Sequence, residues 1–153
     1  MEGLGKYEGR ILSKTDIDEW ADFLKKEYGT QLEKVDNFED VNVIAQFDPN
    51  TNTIRYKENA TEYFIAHESF HAKEMRKIGY SKYMKDAPLQ GIKEADYTKA
   101  NLIRRYHREK HVYQSLLKNI KRLNLNDMEL WHAKAYFQEI EMSLTEKGIK
   151  IPR

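Results

Sequence analysis

The residues with the clearest chemical meaning are the five at 67–71, which form the pattern H-E-x-x-H. On a helix, histidines at positions i and i+4 project from one face, so the imidazoles of His67 and His71 can hold one metal ion. Glu68 lies beside them, where its carboxylate can take a proton from a water molecule that zinc activates. The pattern predicts a metal-dependent hydrolase with His67 and His71 as metal ligands and Glu68 as the general base.

The sequence around this pattern predicts the helix that it needs. Asn59 followed by Glu62 is typical of a capping box at a helix start, and Gly79 is a typical helix end. The two histidines share one stripe with apolar residues at helical spacing, namely Ala60, Phe64, Met75 and Ile78. Because buried imidazoles without partners are costly, we favour a metal site over the alternative, a pair of buried histidines held by hydrogen bonds.

A catalytic zinc ion needs a third protein ligand and an open position for water. In a helix predicted over about 95–123, a turn of about 100° per residue places Glu109 on the apolar face. That face consists of Leu102, Tyr106, Tyr113, Leu116 and Ile120. A buried carboxylate needs a partner, which is either a zinc ion or a buried arginine, unless the side chain reaches out of the core. His107 and His111 are also spaced for metal binding, but they lie nearly opposite Glu109, and we expect them on a solvated basic face.

Hydrophobic periodicity and turn residues predict the other elements. The predicted helices cover about 13–28, 59–78, 95–123 and 127–144, and the predicted strands cover 32–35, 41–47 and 53–56. The last two strands flank a turn-rich segment and form a hairpin, whereas residues 80–92 are expected to be irregular. We therefore predict an α+β fold in which a small β-sheet or hairpin is followed by the H-E-x-x-H helix and two further helices.

Composition limits the class of protein and of site. The chain has 153 residues, 40% of them hydrophobic and 33% charged, which predicts one globular domain over 1–153 rather than a disordered chain or a membrane protein. No apolar run approaches the roughly 20 residues that span a bilayer. The first residues lack the apolar segment of a secretory signal. Since cysteine is absent, thiol catalysis and cysteine-based metal sites are excluded.

The charge pattern offers a second class of function. Eight basic residues lie between Lys99 and Arg122 with Glu109 as the one acid among them, which is compatible with nucleic-acid binding. However, 26 basic and 25 acidic residues leave a net charge of +1, and exposed aromatics do not alternate with the basic residues. We therefore expect a solvated face or a patch for an acidic partner, and no nucleic-acid partner.

From about residue 9 to residue 144, the chain resembles the zincin-like metallopeptidase domains found at the C-termini of bacterial polymorphic toxins. The resemblance rests mainly on residues 67–74 and 108–113, and it extends to shorter segments at 9–13, 52–55 and 116–119. It implies a zincin-like fold and a zinc cofactor (Zn²⁺) held by His67, His71 and Glu109. It thus implies a metallopeptidase of gluzincin type.

The resemblance also implies a biological role. Such a toxin domain hydrolyses a protein of a competitor cell, a cognate immunity protein protects the producer, and a secretion system delivers the toxin. These domains usually follow a long delivery protein, so we expect an excised or stand-alone domain. The alternatives are a regulatory or housekeeping metallopeptidase that acts in its own cytoplasm, and a zinc-bearing binding module without activity. The intact Glu68 argues against the binding module, because a structural zinc site has no use for a base.

A peptidase also needs a donor for the oxyanion that forms when water adds to the scissile carbonyl. Tyr106 and Tyr113 flank Glu109 on its face, and His132 is a third candidate. The two tyrosines are alternatively core aromatics. His132 alternatively orients a metal ligand or lies at the surface. The predicted hairpin is in turn a candidate edge at which an extended substrate binds.

Overall fold

The computed structural model describes residues 4–89 and 91–152, and its architecture is α+β. In this part of the chain a three-stranded sheet is followed by the helices that carry the predicted site. The helices are α1 (Lys14–Tyr28), α2 (Glu62–Ile78), α3 (Tyr80–Met84), α4 (Lys99–Lys118), α5 (Ile120–Leu123) and α6 (Asp127–Glu146). The strands are β1 (Gln31–Lys34), β2 (Ala45–Asp48) and β3 (Thr53–Tyr56), and short 3-10 helices cover Lys6–Glu8 and Glu94–Asp96.

The sheet has the order β1-β3-β2. The predicted hairpin is confirmed, since β2 pairs with β3 in antiparallel register with Gln46 opposite Arg55. β1 pairs with β3 in parallel, with Leu32 opposite Ile54. Among the described strands β2 has one neighbour, β3, and is therefore an edge of the sheet, on the side where α2 packs.

The first helix follows its local signals closely. Ser13 accepts a hydrogen bond from the Asp16 backbone N–H, and the Asp16 side chain accepts one from the Ser13 N–H, which forms a capping box. Gly29 ends the helix with φ 65°, a left-handed conformation that glycine adopts without strain. The prediction for this helix is confirmed.

The start of the motif helix α2 differs from the prediction. Asn59 is exposed and does not cap the helix; Thr61 is the N-cap residue, and its side chain makes no capping hydrogen bond. A tertiary contact explains the difference: the backbone N–H of Leu12 donates to the Ala60 carbonyl oxygen over 3.1 Å. Ile11 pairs with Thr61 in the same way, so the chain stays extended until Glu62.

Two further predictions were wrong in part. The segment expected to be irregular contains α3, whose Tyr83 is 2% exposed. The long helix predicted over 95–123 is divided at Asn119, whose φ of −122° and ψ of 22° are not helical. The helix that follows begins at the N-cap Asn126 and agrees with the prediction.

The core places α2 in the centre of the fold. One apolar cluster packs α1 and the sheet against α2, and a second packs α2 against α4, α5 and α6. A third cluster joins α4 to α6 through Leu102, Tyr106, Ile140 and Leu144. The motif helix therefore lies between the sheet and the α4–α6 pair. Over residues 4–89 and 91–152, no helix combines the length and apolar character needed to cross a membrane.

Candidate metal centre

Two helices bring the three predicted metal ligands together. His67 and His71 come from α2, and Glu109 comes from the middle of α4. Nε2 of His67 lies 3.3 Å from Oε2 of Glu109, and Nε2 of His71 lies 3.0 Å from Oε1. One nitrogen or oxygen atom from each residue lies within 4.8 Å of the others. Each imidazole thus directs its Nε2 at the Glu109 carboxylate.

The three side chains fit a divalent metal ion. The Glu109 side chain is only 12% exposed, and its buried Oε2 faces Nε2 of His67 without the geometry of a hydrogen bond. A buried acceptor that lacks a partner is costly unless another group satisfies it. Two imidazole nitrogens and one carboxylate oxygen are the ligand set of many catalytic zinc sites, and a metal ion would satisfy that oxygen.

The charges at this centre are strongly coupled. Burial alone would raise the pKa of Glu109, but the two imidazoles outweigh burial and hold that pKa well below its usual range. Burial alone would lower the pKa of His67, yet the facing Glu109 carboxylate raises it to about 9. The carboxylate is therefore ionised, as a metal ligand must be.

Glu68 lies next to this centre and is fixed to the sheet. It is 9% exposed, and its Oε1 accepts a hydrogen bond from the Phe47 backbone N–H over 3.2 Å. Burial raises the pKa of Glu68, and His67 and His71 offset part of that rise. The carboxyl group is thus held beside the candidate ligands in a position from which proton transfer is possible.

Tyr83 supports His71 from the side opposite Glu109. Its hydroxyl lies 3.3 Å from Nδ1 of His71, and burial raises the pKa of Tyr83, so the hydroxyl keeps its proton. When Nε2 binds a metal, Nδ1 carries the hydrogen and can donate it to the Tyr83 oxygen. Tyr83 was not predicted from the sequence, because it lies in the segment expected to be irregular and only tertiary packing brings it to His71.

Two cavities meet at Glu68. The first, of about 220 Å³, is lined by the segment 42–45 and by an aromatic wall on α2 and α6 that includes His67, His132 and Tyr136. The second, of about 350 Å³, contains His71 and Glu109 and extends towards Arg105 and Arg108. Glu68 thus lines both cavities, which between them also contain the three candidate ligands.

The three candidate oxyanion donors lie in different places. The hydroxyl of Tyr106 lies 3.5 Å from the Pro152 carbonyl oxygen, and its ring stacks on Phe137, so Tyr106 lines neither cavity. Tyr113 also stacks on Phe137 and lines a small apolar cavity behind the candidate ligands. Only His132 of the three lines a cavity that contains Glu68.

His132 contacts the hydroxyl of Tyr63, and the aromatic residue Tyr136 lines the same cavity. Nδ1 of His132 lies 2.7 Å from the hydroxyl of Tyr63. Tyr136, which was not predicted as a site residue, packs with its ring centroid 5.9 Å from that of His67 and lines the same cavity as His132. The only sequence signal for Tyr136 is its spacing of one helical turn from His132.

The prediction that α4 presents a solvated basic face was wrong in part. His107 is exposed, as expected, and lies outside the centre. Nδ1 of His111 lies 4.0 Å from Oε2 of Glu74, and its Nε2 is buried. Arg104 and Arg108 both donate to the carbonyl oxygen of Tyr83. The physical reason is α3, which packs against this side of α4.

Comparison with known proteins supplies one match. The family model of metallopeptidase toxin 4 matches residues 9–105. This segment contains the H-E-x-x-H pattern and ends before Glu109, so the family match does not extend to the third candidate ligand. Neither the curated proteins nor the solved structures contain a match. The match covers more than half of the chain, which therefore belongs to the metallopeptidase toxin 4 family.

Proposed function

We propose that this metallopeptidase toxin domain is a zinc-dependent peptidase of gluzincin type with a zincin-like fold over residues 1–153. In this proposal His67, His71 and Glu109 hold the zinc ion, and Glu68 is the general base. The observation that carries the proposal is the convergence of two imidazoles on a buried carboxylate with an unsatisfied oxygen, directly beside Glu68. A metal ion accounts for that arrangement, and the adjacent carboxylate is placed to act as a base in hydrolysis.

When bound, zinc supplies a Lewis acid that lowers the pKa of water towards 7 and polarises the scissile carbonyl. Glu68 takes the proton of the attacking water and later passes it to the leaving amine. The hydrogen bond from the Phe47 N–H fixes the direction of the carboxyl group, which removes a rotational freedom before the reaction.

We assign the oxyanion donor to His132. Burial raises the pKa of Tyr63, so its hydroxyl stays protonated and can donate to Nδ1 of His132. Burial also lowers the pKa of His132 to about 4, which leaves the ring neutral at neutral pH. The hydrogen then resides on Nε2, and this N–H is available to the substrate carbonyl oxygen in the cavity shared with Glu68.

The substrate strand follows from the position of β2. Since β2 is an edge strand, an extended peptide can add to its free side through backbone hydrogen bonds. The Phe47 N–H on this strand already contacts Glu68, so a peptide bound there passes the candidate base. This arrangement supports a protein or peptide substrate in extended conformation.

The family supports a role in competition between bacteria. We propose that the domain hydrolyses a protein of the target cell after delivery by a secretion system, as a polymorphic toxin does, and that a cognate immunity protein protects the producer. The test is expression of the wild type and of Glu68→Gln in the cytoplasm and in the periplasm of a sensitive bacterium. We expect growth arrest by the wild type in one compartment and normal growth with the folded, zinc-loaded variant. Growth arrest of equal strength by Glu68→Gln would contradict a peptidase mechanism.

A further inference from the structure

The cavity of about 350 Å³ on the His71 side of Glu68 contains Arg108, which forms no ion pair within residues 4–89 and 91–152. We propose that this cavity is a substrate subsite and that Arg108 binds a carboxylate of the peptide there. This inference rests on the proposed peptidase function, and it adds a specificity that neither the motif nor the family match provides.

The guanidinium group of Arg108 has partners for only some of its N–H donors. Its Nη2 donates to the Tyr83 carbonyl oxygen over 2.7 Å, and its guanidinium carbon lies 4.0 Å from the centroid of the Tyr83 ring. Its Nε, in contrast, is buried and has no hydrogen-bond partner among the described residues. A guanidinium group has five N–H donors in a planar fork that matches a carboxylate. Nη1 of Arg108 makes no hydrogen bond to a described residue and is the nitrogen left for a ligand, since the buried Nε is closed to one.

The two neighbouring arginines show that the missing partner is particular to Arg108. Arg104 lies 3.5 Å from a carboxylate oxygen of Glu74, and Arg105 lies 2.9 Å from one of Glu94. Across residues 4–89 and 91–152, no carboxylate oxygen lies within 4.0 Å of an Arg108 nitrogen. Partly buried charges in proteins are normally paired, so a substrate carboxylate is the natural complement.

The remaining walls strengthen this interaction. Phe47, Pro49, Pro88 and Tyr97 also line the cavity. Apolar and aromatic side chains lower the effective dielectric constant beside them, and charges attract each other more strongly there. Glu109 attracts Arg108 from the same cavity, and a divalent ion held by His67, His71 and Glu109 would offset that negative charge. Because the cavity contains Glu68, its occupant belongs to a residue within about two positions of the scissile bond.

Two parts of a peptide carry a carboxylate, namely an Asp or Glu side chain and the C-terminus. The experiment uses three pools of randomised peptides of equal length. The first has one Asp or Glu and an amidated end, the second has no acid and an amidated end, and the third has no acid and a free C-terminus. Each pool is passed over immobilised, zinc-loaded Glu68→Gln protein, which binds without cleaving. We expect the first or the third pool to be retained about tenfold more strongly than the second.

Variants of Arg108 and of its neighbour Arg104 test whether Arg108 binds the carboxylate. Arg108→Gln in the Glu68→Gln background should abolish the preference, and Arg108→Lys, which keeps the charge, should retain part of it. Arg104→Gln is the matched control, because Arg104 also donates to the Tyr83 carbonyl oxygen but does not line the cavity. It should keep the full preference. Circular dichroism and zinc content show whether each variant folds.

Equal retention of all three pools by the protein with Arg108 intact would overturn the proposal, as would a preference that survives in folded Arg108→Gln. Cleavage of the pools by the wild type separates this inference from the proposed function. Cleavage without selection for a carboxylate would support the proposed peptidase function and contradict the proposed subsite. Binding that selects carboxylates through Arg108, without any cleavage, would support the subsite and contradict the peptidase.

Discussion

The backbone N–H of Phe47 donates to Oε1 of Glu68 over 3.2 Å, and this hydrogen bond joins the edge strand to the motif helix at the candidate base. One carboxylate oxygen is thereby fixed by the sheet, and the proposed proton transfer falls to the other, Oε2. The position of Glu68 therefore depends on β2 as well as on α2. A peptide that adds to β2 and the group that attacks it are held by the same strand.

Metal binding should depend on His67, His71 and Glu109. Replacing any of them by alanine removes a ligand, so zinc content after dialysis should fall from one ion per chain to near zero. The thermal midpoint should fall too, because the ion joins α2 to α4 and its binding energy is partly folding energy. Elemental analysis measures the effect, and exposed His107→Ala is the control. Full zinc in Glu109→Ala together with loss in His107→Ala would contradict this assignment of the third ligand.

The hydroxyl of Tyr83 should strengthen metal binding through His71. Tyr83→Phe removes the partner of Nδ1 and leaves the ring in place, so zinc affinity should fall by about 10- to 100-fold. Competition with a chelator measures the affinity. Tyr80→Phe is the matched control, because the Tyr80 hydroxyl contacts Asn50 at the surface, 2.6 Å away. Equal affinities for the two variants would show that Tyr83 does not support the ligand.

Metal uptake should release a proton at neutral pH. In the metal-free protein Glu109 raises the pKa of His67 to about 9, so this imidazole is protonated at pH 7.5 and must lose its proton to bind metal. Affinity should therefore increase with pH up to about 9. The charge pair stabilises the metal-free fold fully below pH 6.5, the usual pKa of histidine, and loses that effect as pH rises through about 9.

Titration calorimetry in buffers of different ionisation enthalpy measures the released protons. We expect about one proton per zinc ion at pH 7.5 from this group. Zinc binding without proton release at that pH would show that the His67–Glu109 pair is not charged in the metal-free protein.

His132 should affect turnover and leave metal binding unchanged. Loss of an oxyanion donor typically lowers kcat by about 10²- to 10³-fold, so His132→Ala should retain zinc and hydrolyse peptides that much more slowly. Tyr63→Phe, which removes the partner of Nδ1, should give a smaller reduction. Trp131→Ala is the control, since Trp131 is 70% exposed on the adjacent position of α6. Unchanged turnover in His132→Ala would assign the oxyanion to another group.

Local signals in the sequence predicted the elements that carry the candidate ligands. The apolar stripe through His67 and His71 predicted α2, and the position of Glu109 on the apolar face of α4 predicted that it is buried. Both inferences need only helical periodicity, which depends on neighbours within about two turns. The proximity of Glu109 to both histidines is in the structure, and its metal ligation stays a prediction.

Features that depend on distant contacts were not accessible in this way. The parallel pairing of β1 with β3 has no local signal, and the division of the long helix at Asn119 is marked by neither glycine nor proline. The partners Tyr83 and His71 lie on different helices, and Tyr63 and His132 are 69 positions apart. Such pairs arise when helices pack, so periodicity within one helix cannot predict them.

The most direct test of the account is the appearance of new protein N-termini in a bacterial lysate. The lysate is incubated with zinc-loaded wild type, with zinc-loaded Glu68→Gln and with metal-free wild type, and N-termini are labelled and identified by mass spectrometry. We predict a defined set of new N-termini with the zinc-loaded wild type, none with the metal-free protein, and a rate about 10²- to 10⁴-fold lower with Glu68→Gln. The same N-termini formed at the same rate by zinc-loaded Glu68→Gln would contradict the account.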